Sequence, residues 1–258
     1  MVAMQKTAAV IAGYTFLEGL RNRVFGLSVI GLICLFGLTE FVGDLAIIES
    51  AQIHALFIGS GMRLFTVTTV ALFVITSMTR EMNDKAFELI LSLPVARSTY
   101  YFGKLLGYYA LALVMVLLTA GLLCVFVGPG QAAAWGLSLF CELGLVIAVS
   151  LLSLFTFSNV TVAFIVVMAF YFLSRSIHAI QLISSSPLLE FRTVSQEFME
   201  HLVNALAYVL PDLYGFTRSD WLVYGMQGGA LSHVLLQTLI YLPLLVAAGL
   251  FDLYRKDL

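Results

Sequence analysis

Six stretches of this chain, at 25–42, 57–78, 105–127, 133–154, 160–173 and 230–251, carry at most one Asp, Glu, Lys or Arg apiece. A helix needs about 20 mainly apolar residues to cross a hydrocarbon core of about 30 Å. Backbone polar groups in lipid must be satisfied within the segment, which leaves helices as the structure such runs can form. The expectation is an all-α integral membrane protein with six transmembrane helices. Gly128-Pro129-Gly130 supplies a turn after the third run. The fifth is short, and reaches spanning length through Ser174 and Ile177 if Arg175 snorkels toward water.

Composition excludes other classes. Apolar residues make up 61% of the 258 and charged residues 11%, with a mean hydropathy of +1.01. A soluble domain has roughly a quarter charged residues. The net charge of −2 argues against a nucleic-acid surface, which needs clustered Lys and Arg. Cys34, Cys124 and Cys141 lie in apolar runs without paired-ligand spacing, so neither a disulfide framework nor a zinc site is indicated. Lys6, followed by a mixed stretch and then Glu18, Arg21 and Arg23, is the wrong order for a cleaved signal peptide, so the mature chain is expected to begin near Met1.

Lys and Arg in short loops stay on the cytoplasmic side. With six spans both termini share one side, and that side carries Lys6, Arg21, Arg23, Arg80, Lys85, Arg97, Lys104, Arg255 and Lys256, nine of the 13 basic residues. The opposite side holds most of the acidic ones, among them Glu40, Asp44, Glu49, Glu190, Glu197, Glu200, Asp212 and Asp220. Both termini are therefore expected to be cytoplasmic, in a bacterial-type cytoplasmic (inner) membrane. The chain reads as a single transmembrane domain over 1–258. Residues 1–24 form an interfacial helix, 25–175 hold spans one to five, 176–228 form an extracytoplasmic segment, and 229–258 hold span six and a tail.

Three segments outside the spans are expected to be helical. In the first, Val10, Ile11, Tyr14 and Leu17 recur at helical spacing before the polar set Glu18, Arg21, Asn22 and Arg23, predicting a helix along the inner leaflet. In the outer segment, Val194, Phe198, Leu202, Leu206 and Val209 mark one face, and Glu197, Glu200, His201 and Asn204 another. A rim on the outer span ends and a plain connector are equal readings of it. The third concentrates charge between spans two and three, at about 83–93. Asn83 can cap it, Pro94 stops it, and Phe87, Ile90 and Leu91 oppose Asp84, Lys85, Glu88 and Ser92. Glu81 stands four residues before Lys85, the favourable order for a helical ion pair. An isolated helix this short is marginal without tertiary support, which suits a knob docking into a cytoplasmic partner.

Those residues carry a resemblance. The run Arg80-Glu81, Phe87-Glu88-Leu89-Ile90-Leu91-Ser92-Leu93-Pro94, Ala96-Arg97 and Tyr101-Phe102-Gly103-Lys104 is similar to the segment joining the second and third spans of ABC type-2 transporter permeases. The likeness extends through the N-terminal helix ending in Arg21-Asn22-Arg23, the six spans, the long fifth-to-sixth segment and the tail Tyr254-Arg255-Lys256-Asp257. It implies the permease subunit of an ABC exporter, acting with a second permease chain, a homodimer partner or related paralogue. Gly103-Lys104 lacks the rest of a GxxxxGK[ST] phosphate loop, so ATP and Mg are expected on a separate ABC ATP-binding subunit, and this chain is not an enzyme by itself. The resemblance makes 83–93 the coupling helix, with Glu81, Asp84, Lys85, Phe87, Glu88 and Leu91 docking on the ATPase, and puts the N-terminal helix in contact with it too.

Two charges stand out inside the spans. Glu142 lies well within span four, where an ionised carboxylate costs roughly 2.5–3.5 kcal/mol, so it should face protein or a water-filled path. Arg63, in span two, is a candidate partner, although snorkelling to the outer surface also accounts for it. Both are candidate pathway residues. Thr66, Thr68, Thr69 and Ser77 can each bond the preceding helical turn. Met78 and Met82 share a face and read as packing, and His54, His178, His201 and His233 lack metal-ligand spacing. The competing readings are an intramembrane enzyme, for which no GxSxG or HExxH motif speaks, and an ATP-independent carrier or scaffold, which would suit a repeated architecture not visible here.

Overall fold

In a computed structural model the described residues are 2–45, 51–84, 95–157, 159–185, 194–226 and 228–255, and they are helical with no strands. The helices are α1 (Val2–Arg21), α2 (Arg23–Leu45), α3 (Ala51–Asn83), α4 (Arg97–Leu123), α5 (Pro129–Phe157), α6 (Val160–Ser185), α7 (Val194–Val209), the short α8 (Trp221–Tyr224) and α9 (Ala230–Arg255). A 3-10 turn, Leu213–Gly215, lies between α7 and α8. Five helices are long and apolar enough to cross a membrane, and the pair α1 and α2, bent by 59° at Asn22, brings the number to six if counted as one span. This is the content of a membrane protein.

Local chemistry sets the breaks. The Asn22 N–H donates to the Gly19 carbonyl at 3.1 Å, closing α1, while the Asn22 side chain accepts from Val24 N–H at 3.0 Å and so caps α2. Pro129 opens α5, where a missing N–H costs nothing. Asn159 caps α6 by accepting from Thr161 N–H at 3.0 Å. Thr66, Thr68 and Thr69 bond back to the carbonyls of Met62, Leu64 and Phe65. Ser77 instead accepts from the Tyr108 hydroxyl at 3.4 Å.

The bundle is organised around α5, which packs against α3, α4, α6 and α9 and is buried on every side from Leu143 to Ser150. A helix apolar all round belongs at the centre of its assembly. The ends near Arg21, Arg80, Arg97 and Arg255 form one basic end of the bundle; the opposite end is called the far end. At the basic end Arg97 donates to the carbonyls of Leu253 and Tyr254 at 3.0 and 3.1 Å, tying the start of α4 to the last turn of α9. The Thr156 hydroxyl bonds the Asp252 carboxylate nearby.

Helix α1 lies along α4 over two glycines four residues apart. A Cβ on Gly107 would sit 2.6 Å from the Thr15 Cβ and 2.9 Å from the Ala12 carbonyl, and one on Gly103 would sit 2.8 Å from the Ile11 Cβ. Small residues at this spacing let two helix backbones approach closely. The side of α1 that packs is therefore the one bearing Ile11, Ala12 and Thr15, and Val10, Tyr14 and Leu17 are exposed.

Several boundaries differ from those expected. Helix α3 continues without interruption through Arg80 and Glu81 to Asn83, so Asn83 ends a helix; Asp84 N–H still bonds the Arg80 carbonyl at 2.9 Å. The coupling segment itself lies almost wholly outside the described residues. Helix α4 starts at Arg97, placing Lys104 inside it, and α6 runs to Ser185 with Arg175 well within it. In both cases the charge ends nothing because it is paired inside the bundle.

The region between α6 and α9 folds back along the bundle. Gln181 of α6 donates to Asn204 of α7 at 3.3 Å, and Tyr241 of α9 donates to the carbonyls of Tyr208 and Leu210 at 3.3 and 3.1 Å. Tyr241 stands 14 residues before Arg255, about 21 Å along the helix. The chain thus descends beside the spans through α7, turns at 213–217, and rises through α8 to the far end. Val203 and Asn204 turn toward the bundle while Phe198, Leu202, Leu206 and Val209 are exposed. The apolar residues Phe198, Leu202, Leu206 and Val209 of α7 thus face away from the bundle.

Candidate functional site

Two polar clusters interrupt the apolar interior. At the basic end, Glu81 on the last turn of α3 forms an ion pair with Lys104 on α4, the two side chains being 10% and 7% exposed. The Tyr100 hydroxyl donates to Glu81 Oε1 at 2.9 Å and lies 3.6 Å from Met78 Sδ, and the Lys104 ammonium stands 5.9 Å from the Tyr100 ring centroid. Such a pair holds because each ion has its opposite, with the Tyr100 hydroxyl as a further donor to Glu81 and the Tyr100 ring beside Lys104; removing one partner leaves a poorly solvated charge costing about 3–5 kcal/mol. The pairing expected between Glu81 and Lys85 falls on Lys85, which lies outside the described residues; among the described residues Lys104 is the shielded partner of Glu81, one helix away. Glu81 and Lys104 stand before and after residues 85–94 in the chain, and their pair ties α3 to α4. An open cleft of about 580 Å³ adjoins it, lined by Tyr14 and Glu18 of α1, Arg80, Glu81 and Asp84.

Of the other docking residues expected there, Asp84 is exposed and 3.7 Å from Arg80, an i,i+4 pair of small value. Lys85, Phe87, Glu88 and Leu91 lie outside the described residues.

The second cluster sits deep between the spans. Arg63, Glu142 and Arg175 stand fifteen residues from Met78, Phe157 and Val160, the basic ends of their apolar runs, so all three lie about 22 Å along their helices at one level. Glu142 is fully buried. It accepts from the Thr217 hydroxyl and pairs with Arg175 at 3.5 Å. Arg175 also donates to the carbonyls of Leu213 and Phe216 at 2.8 and 3.4 Å. Arg63 donates to the Thr217 carbonyl at 2.9 Å, and Thr217 N–H donates to the Ser138 hydroxyl at 2.8 Å. Every polar group of Thr217 is thus held by a side chain of α3 or α5.

Thr217 is itself unusual, with φ at +46°, a left-handed conformation that a β-branched residue rarely takes. Strain of this kind costs of order 1–3 kcal/mol and persists where surroundings over-determine it. Here the surroundings are three hydrogen bonds to a fully buried residue. Asp212 caps the preceding turn by accepting from Tyr214 N–H at 3.2 Å, and His178 stacks on Tyr214 with centroids 5.2 Å apart.

Arg63 and Glu142, the two expected pathway residues, therefore share a cluster without being each other's ion-pair partner. The partner of Glu142 is Arg175, whose guanidinium turns inward because the buried carbonyls of Leu213 and Phe216, together with Glu142, replace the water it would seek by snorkelling. Arg63 likewise does not snorkel; it reaches a backbone carbonyl. Lys104, Tyr100, Ser138 and Thr217 carry no motif that names them as partners of these charges. The signal available was a lone carboxylate and two lone guanidiniums in apolar runs, each of which needs a partner. No protein-family model matches the chain, and no curated protein matches it.

Proposed function

We propose that this chain is the permease subunit of an ATP-driven ABC type-2 exporter, with a separate ATP-binding subunit hydrolysing Mg-bound ATP and a second permease chain completing the pathway. The observation that carries the reading is the Glu81–Lys104–Tyr100 clamp beside an open cleft, at the base of the 85–94 connector whose residues resemble the family's coupling helix. A pair that ties the end of α3 to α4 lets the two long helices move together, which is what transmission of ATPase closure requires. In this reading six spans cross a bacterial-type inner membrane, α1 lies at its cytoplasmic face, and both termini are cytoplasmic. ATP-driven closure biases two conformations through contacts that differ between them. The deep cluster around Glu142 holds the re-entering segment against the spans, bounding the pathway on its outer side.

Co-purification with a nucleotide-binding subunit tests the partnership. Phe87→Ala combined with Glu88→Lys should abolish coupled ATP hydrolysis while the chain still inserts. Substrate-stimulated hydrolysis surviving in that double variant removes the connector from the mechanism, and failure to capture any ATPase removes the transporter reading.

A further inference from the structure

At the bend between α1 and α2 there is a second open cleft, of about 770 Å³, whose lining includes Arg21, Arg23, Arg80, Glu18, Tyr14 and Leu17. We propose that it binds the phosphate headgroup of an anionic phospholipid. Among the described residues of its lining, three guanidiniums stand against one carboxylate, Glu18; Asp84 stands 3.7 Å from Arg80 in an exposed pair. Arg21 and Arg23 form no ion pair among the described residues. Arginine is suited to phosphate because its planar fork donates two parallel bonds to two oxygens. The 20-residue α1 ends and the 23-residue α2 begins at the cleft, so their opposed dipole ends offset and the guanidiniums set its field.

Position selects a lipid as the source of that phosphate. Arg80 follows the buried Met78 by two residues, and Arg23 immediately precedes the apolar run of α2, so the guanidiniums sit where the apolar thickness ends. From Arg23 the outward side of α2 continues as Leu27, Ile30 and Ile33, all exposed, a track for acyl chains directly below the charges. Tyr14 and Leu17, 72% and 52% exposed, give the rim the amphipathic character of a membrane–water boundary. A soluble phosphate would use the arginines and leave these apolar surfaces in water. Basic pockets at the ends of spans gain from anionic lipid by roughly additive increments per residue. A headgroup seated here bridges α1, α2 and α3 and fixes the bend at Asn22.

The test needs no ATPase and so stands apart from the exporter reading. The full-length chain in neutral detergent is titrated with dihexanoyl phosphatidylglycerol, dihexanoyl phosphatidylcholine or inorganic phosphate while thermal unfolding is followed, and native mass spectrometry counts retained phosphatidylglycerol. Phosphatidylglycerol should raise Tm, with an effect that falls as salt rises, and the other two should do little. Arg21→Gln/Arg23→Gln/Arg80→Gln should weaken the phosphatidylglycerol response about a hundredfold. Its Tm in phosphatidylcholine should match wild type, because all three side chains are exposed. Should the triple variant misfold, Arg23→Gln alone must lower the count of retained lipid. Undiminished preference for phosphatidylglycerol in the folded variants overturns the proposal, as does an equal Tm shift from inorganic phosphate, which would mark a free-phosphate site.

Discussion

Replacing Glu142 with alanine should destabilise the bundle by about 3 kcal/mol, and the size follows from what it leaves behind. The variant strands Arg175, whose side chain is 19% exposed, with two backbone carbonyls and no counter-charge. Loss of one partner of a buried pair costs about 3–5 kcal/mol; the 3.5 Å separation and the residual exposure place this pair at the lower end. Arg175→Met should cost a similar amount, because it orphans Glu142 and the carbonyls of Leu213 and Phe216. The double variant carries neither charge, so its loss should fall short of the sum by at least ~2 kcal/mol, since replacing both members of a buried pair by apolar groups is often close to neutral. Equilibrium unfolding in mixed micelles with increasing dodecyl sulfate gives all four free energies. Both tryptophans of the chain report on the region: Trp135 lies two turns before Glu142 on α5, and Trp221 opens α8 just beyond Thr217. Additivity within ~0.5 kcal/mol, or an unchanged Glu142→Ala, would refute the argument that this carboxylate neutralises Arg175.

Three further outcomes are expected. Thr217→Val preserves shape but removes the hydroxyl that donates to Glu142, so it should cost about 1.5–3 kcal/mol in the same unfolding assay; no loss would mean Glu142 needs no second donor. Gly107→Leu should detach α1 from α4, because the Ala12 carbonyl that would lie 2.9 Å from its Cβ is backbone and cannot rotate away; trypsin should then cleave after Arg21 several-fold faster, and unchanged cleavage would contradict the close packing. Lys104→Met should destabilise by about 3–5 kcal/mol through the stranded Glu81, with much of the loss recovered in Glu81→Met/Lys104→Met; a double variant as unstable as the sum would show that the two charges are independent.

Apolar length marks five of the expected spans as helices long enough to cross a membrane, because lipid leaves the backbone one solution, and the turn at Gly128-Pro129-Gly130 is chemistry visible within a few residues. Pairing is not visible in this way. Arg175 reads as a helix end when its neighbours in sequence are the only information, and its partners are 33 and 38 residues away. The same blindness hides Lys104 from Glu81, and it hides that Asn83 closes a helix reaching back through Glu81 and Arg80. The outer segment fails differently. Its amphipathic pattern at 194–209 is plain, but the pattern cannot say whether the apolar face turns toward protein or away, and here it turns away. Thr217 carries no local signal at all, since a left-handed threonine is a consequence of three distant donors and acceptors.

The deep cluster also imposes an order on biosynthesis. Glu142 is made 33 residues before Arg175 and 75 before Thr217, while Arg63 precedes Thr217 by 154. At ~5–20 residues per second, Glu142 waits about 2–7 s for its counter-ion, and Arg63 waits about 8–30 s for the carbonyl it finally holds. During that interval three charges are committed to an apolar environment without the contacts that make them tolerable. The nascent bundle is thus incomplete until its last third emerges, and closure of the 213–217 turn becomes the step that converts an assembly of inserted helices into a finished protein.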